Sequence, residues 1–217
     1  MIRIYAARWV PPIVQGLVRD LRLRWALEEA GLEYEQVLLN REEWTSEAYR
    51  RYQPFNQIPV YEEGDLVLFE SGAIVLHIAR QSPALLPSDE KQQARTISWM
   101  FAALNTMEPP IQTLTMMDLF SAGEDWAKIR RPVAVKAVET RLDALARHLD
   151  KRNYLESGFS AADILMTTVL RIPRHCDLVS KRRPLDAYVK RCEARPAFKK
   201  ALADQMASFK ANEPVAA

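Results

Sequence analysis

Two short stretches carry residue types that could hold a polar ligand. In QPFNQIPVY, residues 53–61, an amide-rich turn leads through Gln57, Ile58 and Pro59 into an apolar run. Asn56 is the non-glycine type best suited to a left-handed backbone conformation. Pro59 starts the following strand, a role that prolines fill on structural grounds alone. In FESGAI, residues 69–74, Glu70 and Ser71 stand where a strand gives way to a helix. A serine there can cap the helix, the helix's first N–H groups can receive a carboxylate, and Glu70 can receive an ammonium group.

A third stretch, FSAADI at 159–164, has capping-box spacing between Ser160 and Asp163 and staple spacing between Phe159 and Ile164. Its role is structural. Nucleophilic chemistry is harder to find, because no Ser, Thr, Cys or Tyr occurs from Ala6 to Leu32. The three histidines, His77, His148 and His175, lie far apart and have no partner at metal-ligand spacing, so no metal is expected. Cys176 and Cys192 read as structural thiols in a reducing compartment.

The elements that would position these residues can be read from periodicity. IRIYAA at 2–7 is a strand, and Val14, Leu17, Val18, Leu21 and Trp25 have helical spacing up to a cap at Gly31. YEQVLL at 34–39 is a second strand, followed by a polar helix over 45–52. Strands at 58–61 and 66–69 flank a hairpin loop, and a helix over 71–80 closes a βαβαββα unit. That unit spans 1–82. After a Pro-punctuated linker, about 81–88, the chain reads as helix over 88–217. Ser88 can cap the first of these helices, and Pro109-Pro110 must bend or break it.

The bulk properties fit two soluble domains. Over 217 residues the sequence is 48% hydrophobic and 27% charged, with a formal net charge of +2. Basic residues are interspersed with acidic ones, so no nucleic-acid partner is indicated. The strand-like opening and the lack of a bilayer-spanning apolar run predict a cytoplasmic protein without a membrane partner.

By domain order and by these three motifs, the sequence resembles the glutathione transferase superfamily along nearly its whole length. QPFNQIPVY is similar to that family's Asn-Pro-x-Gly-Gln-Val-Pro segment, and FESGAI to its Glu/Gln-Ser pair. The resemblance implies a thioredoxin-like N-terminal domain followed by an all-helical domain, with glutathione as co-substrate and a homodimeric assembly. It implies a cis Ile58-Pro59 bond that leaves the Ile58 backbone free to pair with the cysteinyl residue of glutathione. Glu70 and Ser71 would hold the γ-glutamyl group, Gln57 would add an amide, and Trp44 and Arg50 would meet the glycyl carboxylate. The family's electrophile site would draw on Trp99, Met107, Met116 and Phe120.

The implied reaction is attack of glutathione thiolate on a small hydrophobic electrophile, as in detoxification. The family's serine or cysteine position falls among Leu17, Val18, Arg19 and Asp20, so the activating group is atypical here. Tyr5 and Arg8 are the candidates for stabilising the thiolate, with Arg19 and backbone N–H groups beside them. Alternatives are a glutathione-dependent reductase, peroxidase or isomerase, and a non-enzymatic relative that binds ligands or partners.

Overall fold

The computed structural model describes residues 1–214 and divides into two compact units. The first comprises residues 1–86 together with the segment that follows residue 194, and the second runs from Pro87 to Ala194.

The first unit is built on a four-stranded sheet of order β2-β1-β3-β4. Strand β1 (Ile2–Ala7) pairs in parallel with β2 (Tyr34–Leu39) and antiparallel with β3 (Val60–Glu63), which forms a hairpin with β4 (Leu66–Leu68). The parallel pair is joined by helix α1 (Asp20–Ala30), and α3 (Ser71–Ala79) follows the hairpin and packs on α1. The thioredoxin-like reading thus holds for the sheet and its helices.

Helix α1 begins later than the apolar spacing predicts. Pro12–Val14 makes one 3-10 turn, and Gly16, at φ 74°, turns the chain out of helical conformation before Asp20. The other end follows expectation, since Gly31 is left-handed at φ 67° and its N–H reaches the last turn's carbonyls. Within the predicted helix over 45–52 only a 3-10 helix forms, and a short α-helix precedes it, each with its own cap. Asn40 and Glu43 form a capping box on α2 (Arg41–Trp44), and Ser46 caps a 3-10 helix at Glu47–Arg51.

The last helix, α9 (Pro196–Ala211), belongs to this first unit and packs along α1. Phe198 meets the ring of Trp25 edge-on at 4.8 Å, and Arg195 forks onto Glu29 at 2.5 and 2.7 Å. Deeper, Gln205 donates to Asp20 at 2.7 Å, and Asp20 accepts from Arg24 at 2.7 Å. Asp20, Arg24 and Gln205 are all buried. Burial pushes the Asp20 carboxyl up despite these donors, so the pairing compensates only part of its desolvation.

The second unit is helical: α4 (Glu90–Phe101), α5 (Glu108–Phe120), α6 (Asp125–Leu149), α7 (Ala161–Leu170) and α8 (Arg183–Glu193). Asp89, not Ser88, caps α4, accepting from the Gln92 N–H at 2.8 Å, because Asp89 is the residue directly before the first helical turn. Pro109 and Pro110 do not end the helical path. A π-type turn over Ala102–Met107 separates α4 from α5 and places both prolines in the first turn of α5, where no backbone N–H is required of them.

Helix α7 is buried along its whole length. Asp163 accepts from the Leu155 and Ser160 N–H groups at 3.0 and 2.9 Å and from the Tyr188 hydroxyl at 2.8 Å. One side chain therefore ties the segment before α7, the start of α7 and α8 together. No helix is long and apolar enough to cross a membrane, and no group of metal-ligating side chains occurs among the described residues.

Candidate functional site

At the entry to β3 the Ile58-Pro59 bond is cis, and Asn56 is left-handed at φ 53°. The turn is held from three directions. The Gln53 side chain accepts from the Phe55 N–H at 2.5 Å, Asn56 donates to the Thr45 carbonyl at 3.1 Å, and the Tyr49 hydroxyl donates to the Gln57 carbonyl at 3.1 Å. Ile58 itself makes no backbone hydrogen bond among the described residues. A fixed turn thus presents one free N–H and one free C=O, which can receive another backbone as a strand would.

The hairpin brings Glu70 beside that turn. Tyr61 faces Leu68 across β3 and β4, so the turn that enters β3 and the Phe69-Glu70 segment that leaves β4 lie at the same end of the hairpin. Contact between the rings of Phe55 and Phe69, 6.2 Å apart, agrees with this closeness.

Glu70 has φ 67° and ψ 110°, a conformation that side-chain-bearing residues adopt at a cost. It is exposed, stands at the N-cap position of α3 and makes no capping bond. The sequence reading assigned the cap to Ser71. Instead Ser71 is the first residue inside the helix, because the turn at Glu70 carries the chain directly into it. The Ser71 hydroxyl accepts from Arg22 Nη1 at 3.1 Å. The first N–H groups of α3 have no helical partner, so the site joins free donors, a serine and an exposed carboxylate within a few residues.

Arg22 is the residue that sequence reasoning missed. It is 3% exposed on α1 and reaches the start of α3 from beneath. Its spacing with Leu21 and Trp25 marks a buried helix face, and an arginine on such a face signals a fixed partner.

The candidates for the glycyl carboxylate sit on the segment before the turn. Trp44 packs its side chain against the core of Tyr5, Tyr49 and Val60. Arg50 is exposed and pairs with Glu47 at 2.7 Å, while Arg51 bonds the Tyr52 hydroxyl and lies over that ring. Gln57 is exposed.

Tyr5 and Arg8 differ in how far they are committed. The Tyr5 hydroxyl donates to a Glu62 carboxylate oxygen within a cluster of Tyr5, Tyr49 and Tyr52 rings. Burial and the bonds to Glu62 and Tyr52 raise its pKa, so the phenol holds its proton. Arg8 follows the end of β1, is about two-fifths exposed, and donates to the Leu38 carbonyl at 3.2 Å and to Glu43 at 3.4 Å. Its guanidinium retains further donors.

In the helical unit, Met116 and Phe120 of α5 are exposed and Met107 is buried. Trp99 donates to Glu156 at 3.1 Å and rests against His148 at 4.5 Å.

Known proteins resemble this chain in sequence and in fold. Residues 15–80 match the family described as glutathione S-transferase, N-terminal domain. The chain is 30% identical to glutathione S-transferase 4 of Zea mays over 188 residues, 81% of this chain and 83% of that protein. It is 27% identical to glutathione S-transferase F9 of Arabidopsis thaliana, covering 82% of this chain and 88% of the relative. Among solved structures, glutathione transferase F7 of Populus trichocarpa superposes with a TM-score of 0.81 at 24% identity, over 95% of this chain and 99% of that one. A glutathione transferase from Burkholderia graminis, solved with two glutathione molecules bound per subunit, gives a TM-score of 0.81 at 23% identity, over 93% and 87%.

Proposed function

Because this chain belongs to the glutathione S-transferase superfamily, we propose that it binds glutathione in its first unit and conjugates the bound thiolate to a small hydrophobic electrophile. The observation that carries the reading is the juxtaposition of two sets of groups. A free backbone pair at Ile58 enters the hairpin at the same end where an exposed carboxylate and a helix start at Glu70 and Ser71 leave it. Glutathione presents the complements: a peptide-like cysteinyl centre and a γ-glutamyl end with one ammonium and one carboxylate group. The Burkholderia graminis neighbour, solved with two glutathione molecules bound per subunit, supports the same ligand.

In this reading Ile58 pairs the cysteinyl backbone, Glu70 takes the ammonium group, and Ser71 with the first N–H groups of α3 takes the adjacent carboxylate. Arg22 acts as a positioning residue for the Ser71 hydroxyl. Gln57 adds an amide, and Trp44 and Arg50 serve the glycyl end.

A free thiol with pKa of roughly 8.5 is mostly protonated at neutral pH, so the enzyme must favour the anion. Arg8 is the better placed of the two candidates. Its remaining N–H groups can approach a sulfur at the end of β1, whereas the Tyr5 hydroxyl is already given to Glu62. The electrophile would rest against apolar side chains of the helical unit, with Met107, Met116, Phe120 and Trp99 as candidates. A homodimer in the cytoplasm completes the proposal.

Calorimetry with glutathione, run beside conjugation to a generic aryl halide, tests it. Wild type should bind and turn over. Glu70→Ala should weaken binding by about tenfold or more. Arg8→Ala should lower turnover with little change in glutathione affinity, and Tyr5→Phe should change it less. Binding without turnover would favour the non-enzymatic alternative, to which the missing hydroxyl between Ala6 and Leu32 already points. Wild type that does not bind glutathione sinks the proposal.

A further inference from the structure

Away from the turn at Ile58, the first unit carries an open groove of about 840 Å³ between the end of α1, strand β2 and helix α9. Strand β2 lies at the edge of the sheet, with β1 on one side and no strand on the other. The Arg8 N–H donates to the Leu39 carbonyl at 2.7 Å, which fixes the alternation along β2. Leu39, Val37 and Glu35 turn their N–H and C=O groups toward β1, and Leu38, Gln36 and Tyr34 turn theirs outward. These last three residues are the ones that line the groove. The Leu38 carbonyl is taken by the Arg8 side chain, while the backbone groups of Tyr34 and Gln36 have no partner among the described residues.

Edges of this kind are usually blunted by a proline, a bulge or a covering element. YEQVLL contains no proline, and its pairing with β1 runs without a break. Instead the edge opens on a cavity with a polar floor. Arg24 is 1% exposed and donates to Asp20 at 2.7 Å and to Gln36 at 2.9 Å, which leaves its Nη1 without a partner among the described residues. The rim is acidic. Lys200 is already shared between Glu28 and Asp204, at 2.6 and 2.8 Å, and Glu33 has no ion pair among the described residues.

We propose that this groove binds an extended, basic peptide segment of a partner protein, which adds as a fifth strand along β2. Its backbone would pair with Tyr34 and Gln36, one of its carbonyls would accept from Arg24 Nη1, and its lysine or arginine side chains would lie against Glu33 and Asp204. An acidic or phosphorylated segment would meet the excess of carboxylates and be repelled.

The test uses the full chain, labelled for NMR, with a blocked Val-Lys-Val-Lys-Val peptide and its Val-Glu-Val-Glu-Val counterpart. The lysine peptide should bind in a salt-dependent manner and slow amide exchange at Tyr34 and Gln36 by about tenfold. Gln36→Pro, which removes an outward N–H, should weaken binding by about tenfold. Should that variant fold poorly, Glu33→Lys on the exposed rim should narrow or reverse the preference between the two peptides. Equal binding of both peptides, or binding that leaves the Tyr34 and Gln36 amides unprotected, would overturn the proposal, as would no binding at millimolar peptide. Glutathione conjugation by these variants, measured in parallel, should stay at the wild-type level, which separates this groove from the glutathione site.

Discussion

Glu70 has no conformational reason to be glutamate. At φ 67° and ψ 110° it occupies a region that costs of order 1–3 kcal/mol for a residue with a side chain, and its carboxylate makes no capping bond in return. A strained, exposed carboxylate beside the unpaired donors of a helix start fits a group retained for its ligand. Glycine relieves the strain at the cost of greater freedom in the unfolded chain. Glu70→Gly should therefore stabilise the protein by about 1 kcal/mol, a rise in Tm of about 2–4 °C, while abolishing most glutathione affinity. Glu70→Ala keeps the Cβ and should lose affinity without the gain in Tm. Scanning calorimetry of the three proteins decides it, and an unchanged or lower Tm for Glu70→Gly would mean that the backbone at this position is not strained.

At the scale of elements, Asp118 on α5 holds α6 and the segment after α7 through charge. Arg131 donates to both of its oxygens, at 2.7 and 3.1 Å, and His175 Nε2 approaches at 3.0 Å. Partial burial works to raise the Asp118 pKa, but the hydrogen bonds and charges of Arg131 and His175 outweigh it, and the net direction is down. A carboxylate with a depressed folded pKa contributes stability above its unfolded pKa, near about 3.9, and loses it as pH falls through the folded value. Asp118→Asn should thus cost about 2 kcal/mol at pH 7, and the gap in Tm between variant and wild type should close as pH falls below about 4. A gap that stayed constant across this range would remove Asp118 ionisation from the account. The same scale shows what could be read from the sequence and what could not. The strands at 2–7 and 34–39 are apolar runs bounded by Pro11 and Gly31, and Asn56 advertises its left-handed turn, because these signals are local. Arg22 under Ser71 and Gln205 on Asp20 join residues dozens to nearly two hundred positions apart, and no local pattern encodes such pairing, whereas Arg24 on Asp20 is a local pair one helical turn apart. The late start of α1 lay in between, since Gly16 was visible but the apolar spacing ran through it.

For the molecule as a whole, the proposed homodimer has a specific basis in what is left exposed. Trp126, Ile129 and Val133 fall on one face of the early turns of α6 at 51%, 76% and 71% exposure. Isolated apolar residues on a surface are ordinary, but three at i, i+3 and i+7 make a continuous stripe of the kind that a partner covers. Phe55, at 66% exposure on the rigid turn before Ile58, adds a projecting aromatic in the other unit. A second copy of the chain is the occupant that this family membership suggests, and a symmetric pair would use each patch twice. Light scattering at micromolar concentration should give the mass of two chains. A charge placed at the centre of the stripe, Ile129→Glu, should raise the dimer dissociation constant by about tenfold or more, because it would bury an unpaired carboxylate. The same charge at exposed Lys128 of α6, as Lys128→Glu, lies about 100° around the helix from Ile129 and provides the control, and it should leave association nearly unchanged if the apolar stripe is the interface. A wild-type chain that runs as a monomer, or an Ile129→Glu variant that dimerises as tightly as wild type, would place the interface elsewhere or remove it.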